Sequence, residues 1–361
     1  MTIYTANKIF TGTQWLSDHA IIINEDQIVD ILPIDALEKN AIPDAMTNMI
    51  APSFIDLQIY GAGGKLLAVY PEPDSLFKLE KYCKDGGANH FMPTVATNTY
   101  EVFFKAIDAV RAYWKLGGEA ALGLHIEGPW INKIKRGAHI ESIIHSPSIE
   151  QVKTLLDYGK DVIKIITLAP EVCSKEVIEL ITSRGIIISA GHSNATFEEG
   201  TAAFNNNIPA ATHLFNAMSP LHHREPGLPA AVMNHDRVMA SIIPDNIHVS
   251  FEIVSLAKKL MGDRLFIITD AVTETNEGPY RHTLDGDRYV SDGILSGSTL
   301  TMMKAVKNCV TKIGIELSEA LKMASYYPAK LMQKENELGI IKKGIRANLV
   351  FVDEELNVVY H

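Results

Sequence analysis

Short apolar runs recur along this chain, and each breaks off in glycine, asparagine or an ionisable residue. FIDLQIYGAG (54–63), ANHFMPTVATN (88–98), GLHIEGPW (123–130), VIKIITLAPE (162–171), GIIISAGHSN (185–194), AATHLFNAM (210–218), VMASIIPDNIHV (238–249) and RLFIITDA (264–271) make eight such runs, each readable as a strand. Between them apolar positions return at the spacing of one helix face, over 74–86, 100–116, 148–159, 174–184, 196–206 and 251–262. The stretch holding HHREPGLP reads as irregular. After residue 271 comes an inserted loop, then a long helix near 299–314.

Near-continuous apolar strands that alternate with helices imply a parallel sheet covered on its outside. Eight such units predict an α/β fold, a TIM-like (β/α)8 barrel over residues 51–343, in preference to an open doubly wound sheet. No GxGxxG follows the first strand, which argues against a dinucleotide site. The ends of the chain follow another rhythm. IYTANKIFTG, HAIIINEDQIVDILP and GIRANLVFVDEELNVVYH read as strands and turns with no helix between them. Residues 1–50 and 344–361 are therefore expected to meet in one small β-sandwich domain beside the barrel.

Composition narrows the function. With 47% hydrophobic and 21% charged residues, the chain has the balance of a folded soluble enzyme rather than a disordered one. A formal net charge of −10 argues against nucleic acid or an anionic membrane as partner, since either would call for a basic stripe. It leaves room for a small anionic substrate, because a few local cations suffice for one phosphate. Cys83, Cys173 and Cys309 are scattered, with no CxxC, which suits a reducing cytoplasm and no disulfide framework. MTIYTANKIFTGTQW lacks the basic-then-apolar order of a secretory signal, and no apolar run approaches the roughly 18 residues of a membrane span.

The chemistry collects where the strands end, which in such a barrel is where active sites lie. Glu127 closes the third run, His192 the fifth and Asp270 the eighth; His213 lies in the sixth, and the seventh leads to His248. Singly, each has a plainer reading: a hydrogen-bonded structural histidine, or an aspartate capping a helix. Together, Glu127, His192 and His213 would converge on one mouth. Two imidazoles and a carboxylate with an open position form a catalytic zinc-type set. A dication would also explain why GLHIEGPW carries a carboxylate to the tip of an apolar strand, since the metal compensates the buried charge. His125 points to the same face but deeper, and is expected to be packed behind the site. His145, His222 and His223 are expected in ordinary surface roles.

The ordered motifs FIDLQIYGAGG, FMPTVATN, LHIEGPWINKIKRGAHI, ITLAPE, SAGHSNATFEEG, THLFNAMSPLHHREPG, ITDAV and LSGSTLTM resemble the amidohydrolase superfamily, and within it the family of N-acetylglucosamine-6-phosphate deacetylases. KKGIRANLVFVD near the C-terminus resembles the strand that closes that family's β-domain. The resemblance implies hydrolysis of N-acetyl-D-glucosamine 6-phosphate to D-glucosamine 6-phosphate and acetate. It implies one divalent ion on Glu127, His192 and His213, zinc foremost, and Asp270 as general base and acid. It places Ala138, His139, Asn216, Ala217, Arg224 and His248 against the sugar and its phosphate, and Leu295, Ser296 and Gly297 near the acetyl group. It also implies a homodimer, with part of the phosphate site supplied by the neighbouring subunit. Two departures stand out. Many amidohydrolases carry His-x-His and two metals where this chain reads Gln58-Ile59-Tyr60, so a single metal is expected, with Gln58 bonded to the reacting water or held structurally. Ser53 stands where the family usually has glycine. The rivals are a deacetylase for N-acetylgalactosamine 6-phosphate, another amidohydrolase, or an inactive scaffold, the last opposed by the intact ligand set. An isomerase or aldolase would need a lysine or enolising base at a strand tip, and no strand ends in lysine.

Overall fold

Eight parallel strands pair in chain order: β1 (Phe54–Ile59), β2 (Ala88–Ala96), β3 (Leu124–Glu127), β4 (Ile163–Leu168), β5 (Ile187–Ala190), β6 (Ala210–Ala211), β7 (Met239–Ile242) and β8 (Leu265–Ile267). The computed structural model describes residues 1–38 and 42–359; residues 39–41 and 360–361, inside the expected terminal domain, lie outside that description. The ring closes just past β8, where Asp270 N–H donates to the Gln58 carbonyl at 3.0 Å and Tyr60 N–H to the Ala271 carbonyl at 2.9 Å. Helices after the strands cover the outside, and two more, Leu317–Ala324 and Tyr326–Leu331, pack on β1 and β8.

The local sequence explains where these helices begin. Thr99, Ser148, Ser174, Thr196, Ser250 and Thr301 each accept a backbone N–H of the first turn on a side-chain oxygen. A cap of this kind stabilises by about 1 kcal/mol. Ser148 with Gln151 and Thr196 with Glu199 complete capping boxes. The core lies between barrel and helices, where Ile55, Phe91, Val95, Ile126, Ile166 and Ile188 are buried.

The two ends of the chain do meet. Their strands form a single six-stranded mixed sheet, ordered Val358–Val359, Leu349–Val352, Ala45–Pro52, Thr2–Phe10, Trp15–Asn24 and Gln27–Pro33. The expected sandwich is realised as this one sheet. Ile9, Ile21, Ile28, Ile50 and Ile341 form a cluster of their own within it. Phe10, Met49, Ala51, Val350 and Val352 join the barrel's core instead.

Three elements differ from expectation. β6 is two residues long, because the chain turns into left-handed backbone at His213 (φ 35°), Phe215 (φ 78°) and Ala217 (φ 50°). The HHREPGLP stretch ends in a helix, Gly227–Asn234. The inserted loop contains a three-stranded antiparallel sheet, Thr283–Asp285, Arg288–Ser291 and Ile294–Ser298, and the long helix expected near 299–314 runs as Met302–Asn308 followed by a π-turn at Cys309–Ile313. Among the described residues, no helix is long and apolar enough to cross a membrane.

Candidate active site

Glu127 ends β3 with Thr167 and Ala96 as its strand neighbours. Gly128 lets the chain leave the strand at once. Its φ is +80°, and a Cβ there would stand 2.1 Å from Thr97 Oγ1. His192, His213 and Asp270 all lie just past their strands, and all three hold positive φ (47°, 35° and 54°). Such backbone costs a non-glycine residue roughly 1–3 kcal/mol and persists where the surroundings over-determine it.

These turns bring the side chains together. Glu127 Oε1 stands 3.1 Å from His213 Nε2 and 3.3 Å from His192 Nε2, and the two Nε2 atoms are 3.1 Å apart. His192 Nδ1 donates to the Lys135 carbonyl at 2.9 Å, which leaves a lone pair on Nε2. Glu127 Oε1 and the two Nε2 atoms thus face one point. Ligand atoms of a tetrahedral site with ordinary zinc bond lengths stand roughly 3.3 Å apart, so the donor set fits a divalent cation. Glu127, His139 and His192 also offer one ligand atom each within 4.8 Å of one another. His139 sits on the other side of the carboxylate, with Nε2 3.4 Å from Oε2. Burial would raise the Glu127 carboxyl, but hydrogen bonds and charge from His139, His192 and His213 hold it well below the usual carboxylate range. Burial and the nearby His192 push His139 down to about 4, so its ring is neutral at pH 7.

Behind the triangle lies a hydrogen-bonded net. Gln58 Nε2 reaches Tyr60 Oη at 2.7 Å, Asp270 Oδ1 at 2.8 Å and Glu127 Oε1 at 3.1 Å. An amide has two hydrogens, and the two shorter contacts use them, leaving Glu127 Oε1 free for the triangle. Tyr60 donates its own proton to Glu127 Oε2 at 2.5 Å. Asp56 receives Thr269 Oγ1 at 2.5 Å and Thr269 N–H at 3.2 Å, which pins the residue before Asp270; burial lifts the Asp56 carboxyl to about 7. Burial also raises Asp270, against the pull of His213. His125 has both nitrogens committed, Nδ1 to the Leu57 carbonyl at 3.1 Å and Nε2 to Thr167 Oγ1 at 2.7 Å, and packs beneath the site. Tyr60→Phe should lower the unfolding free energy by about 1–3 kcal/mol in a denaturant titration, because it removes the shorter of the two donors to buried Glu127 Oε2 and strands a Gln58 hydrogen. An unchanged value would mean the bond contributes nothing.

The cluster opens into a cavity of about 330 Å³. Glu127, His192, His213 and Asp270 line it, together with Ala138, His139, Asn216, Ala217, His248, Leu295, Ser296 and Gly297. His248 Nδ1 is tied to Asp245 Oδ2 at 2.6 Å, which leaves Nε2 for a ligand. Arg224 does not line the cavity; it lies exposed on the turn before Gly227. Sequence reasoning gave no role to Tyr60, Lys135, Tyr280 or His282, all of which line the cavity. Tyr60 could have been found, since alternation along the strand places it on Gln58's face. Lys135 lies inside a motif already singled out. Tyr280 and His282 come from the inserted loop, where Tyr280 Oη donates to the Thr97 carbonyl at 2.6 Å and His282 Nδ1 meets Ser296 Oγ at 2.8 Å.

The amidohydrolase family model matches residues 49–360, and that of the NagA composite domain matches residues 1–44. The chain is 34% identical to an N-acetylglucosamine-6-phosphate deacetylase of Haemophilus influenzae, covering 97% of this chain and 95% of that protein. It is 29% identical to an N-acetylgalactosamine-6-phosphate deacetylase of Escherichia coli O157:H7, over 99% of this chain and 96% of that one. Its fold is similar to that of a mutant N-acetyl-D-glucosamine-6-phosphate deacetylase from Mycobacterium smegmatis solved with N-acetyl-D-glucosamine-6-phosphate, with a TM-score of 0.90, 26% identity, and coverage of 99% and 96% of the two chains.

Proposed function

The chain belongs to the amidohydrolase family, in its branch of N-acetylglucosamine-6-phosphate deacetylases, and we propose from that membership that it hydrolyses N-acetyl-D-glucosamine 6-phosphate to D-glucosamine 6-phosphate and acetate. The observation that carries this reading is the triangle of Glu127 Oε1, His192 Nε2 and His213 Nε2 on a cavity that Asp270 also lines. We assign one divalent ion per chain, zinc foremost, to these three residues, because their separations match the edges of a tetrahedral site. His139 is left for the substrate.

An acetamide is a weak electrophile with a poor leaving group. A divalent cation held by the triangle supplies Lewis acidity and makes water acidic enough to ionise near neutral pH. Asp270 takes the proton from the attacking water and returns it to the amine nitrogen as the C–N bond breaks, so that OH ends on the acetyl carbon and H on the amine. Burial raises its carboxyl, the direction that makes it a stronger base for that proton. The Thr97 hydroxyl lies 2.6 Å from His139 Nδ1 and can donate there, which puts the ring's hydrogen on Nε2, 3.4 Å from Glu127 Oε2, where it can turn to the carbonyl oxygen as that atom gains charge. The three free thiols, Cys83, Cys173 and Cys309, suit a cytoplasmic site for this step of amino-sugar catabolism.

His248 and Lys135 line the cavity and serve the phosphate end. Arg224 serves it from the neighbouring subunit of a homodimer. In support, Leu221 is exposed on Arg224's own turn, and the helix Phe251–Met261 turns Ile253, Leu256 and Leu260 outward as an apolar stripe. Arg224→Ala should raise KM for the 6-phosphate sugar by about ten- to a hundredfold, the range of one charge-assisted hydrogen bond, and leave unphosphorylated N-acetylglucosamine unaffected. Equal effects on both sugars would remove Arg224 from the site.

The reading as a whole is tested by acetate release from N-acetylglucosamine 6-phosphate, N-acetylgalactosamine 6-phosphate and N-acetylglucosamine. The first should show the highest kcat/KM. A higher value for the galactose epimer would move the chain to the activity for which its Escherichia coli relative is named.

A further inference from the structure

Glu171 follows β4 in the turn Pro170–Val172 and does not line the cavity. Its carboxylate nevertheless gathers three donors. Asn132 Nδ2 at 3.0 Å and Asn194 N–H at 2.7 Å meet Oε1, and Ser193 Oγ at 2.7 Å meets Oε2. Ser193 and Asn194 directly follow His192, and Asn132 sits in the loop after Glu127. That same loop grips His192 twice more: Asn132 N–H donates to the His192 carbonyl at 2.9 Å, and the Lys135 carbonyl receives Nδ1 of its ring.

His192 therefore has its left-handed backbone held from both sides, and the Glu171 side chain, from the turn after β4, bonds to both the loop after β3 and the loop after β5. The carboxylate matches its contacts, since all three partners donate to it. Ala195 N–H engages one of the two lone pairs on Ser193 Oγ at 3.1 Å. A glutamine in this position would lose the charge and could keep Ser193 only by turning that hydroxyl from donor to acceptor.

We infer that Glu171 is a positioning residue that sets the affinity for the divalent cation by holding His192 Nε2 against Glu127 and His213. This rests on the assignment of those three residues as ligands. Partners behind metal ligands commonly change affinity by 10–100-fold, and Glu171 acts on the backbone that carries the ligand.

The test uses the full chain, freed of metal with a chelator and titrated with zinc against a competing fluorescent chelator. Glu171→Gln should weaken zinc binding by about 10–100-fold. Whatever the Tm of the metal-free variant, its rise on adding zinc should be smaller than in wild type, because ligand stabilisation scales with the logarithm of ligand concentration over Kd. At saturating zinc, kcat should return to near wild type. Ser193→Ala and Asn132→Ala each remove one donor, should weaken zinc binding by smaller factors, and decide the matter if Glu171→Gln does not fold. An unchanged zinc Kd, or a Tm that falls equally with and without zinc at unchanged Kd, would overturn the inference and leave Glu171 a structural tie. A wild-type chain that binds no zinc would instead overturn the ligand assignment, and this inference with it.

Discussion

Asp270→Asn should abolish nearly all turnover and leave the metal in place. Asparagine keeps the size of the side chain and an oxygen that can accept from Gln58 Nε2, which reaches Asp270 Oδ1 at 2.8 Å in the native protein. The backbone closure of the barrel at this residue, Asp270 N–H to the Gln58 carbonyl, does not involve the side chain. Fold and triangle should survive. What disappears is a group able to take a proton and give it back. General acid–base catalysis by a placed side chain is worth about 10²–10⁴, and Asp270 serves in both halves of the reaction, so kcat should fall toward the larger figure. Acetate release measures the loss, and metal analysis should still find about one ion per chain at a three-ligand site. A variant that keeps more than a tenth of wild-type kcat would remove Asp270 from the proton path. One that loses its metal as well would leave the lost activity ambiguous, and Asp270→Glu would then be compared at saturating metal.

The barrel was legible because its strands are apolar on both faces and its helices on one, and these two rhythms are hard to confuse over such lengths. The helix Gly227–Asn234 was not, for two physical reasons. Its residues from Gly227 to Met233 are all buried, so no polar face marks a period, and Pro229 reads as a breaker although it lies in the first turn, where a helix needs no N–H. The inserted sheet was hidden because its strands are short and largely exposed, and Thr283–Asp285 buries no residue at all. The members of the triangle could be picked out as candidates, since each residue stands at or just past a strand end. Its geometry was not, since it depends on left-handed backbone at His192, His213 and Asp270, which no residue preference announces for histidine or aspartate in such a place. Arg224 marks the other limit. A sequence can place an arginine in a loop of the right motif, but the fold leaves it outside the cavity it was expected to line.

Glu127→Ala should cost the protein its metal and, with it, its activity. In the native site Glu127 Oε1 faces two imidazole nitrogens while Oε2 receives the Tyr60 hydroxyl, so the side chain joins the triangle to the net behind it. Truncation leaves neutral imidazoles around a dication with no anion among them, and removing one member of a buried charge pair costs about 3–5 kcal/mol. Expressed as affinity, that is a weakening of roughly 10²–10⁴ in metal Kd. Dialysed protein should then hold well under one ion per chain and release acetate at background rate. Glu127→Gln separates shape from charge: it keeps an oxygen near the triangle, so it should retain more metal than alanine and much less than wild type. The histidines report the change independently. Against burial, which lowers it, His213 is held above its usual range chiefly by its hydrogen bond to Glu127, so its folded-state stabilisation is present at low pH and fades as pH rises through that raised value. In metal-free Glu127→Ala that support is gone, burial is opposed only by the charge of Asp270 and a backbone hydrogen bond, and the His213 imidazole resonances should titrate at lower pH than in metal-free wild type. A variant with full metal content and an unmoved His213 would mean that the carboxylate at the tip of β3 is not what the site is built around.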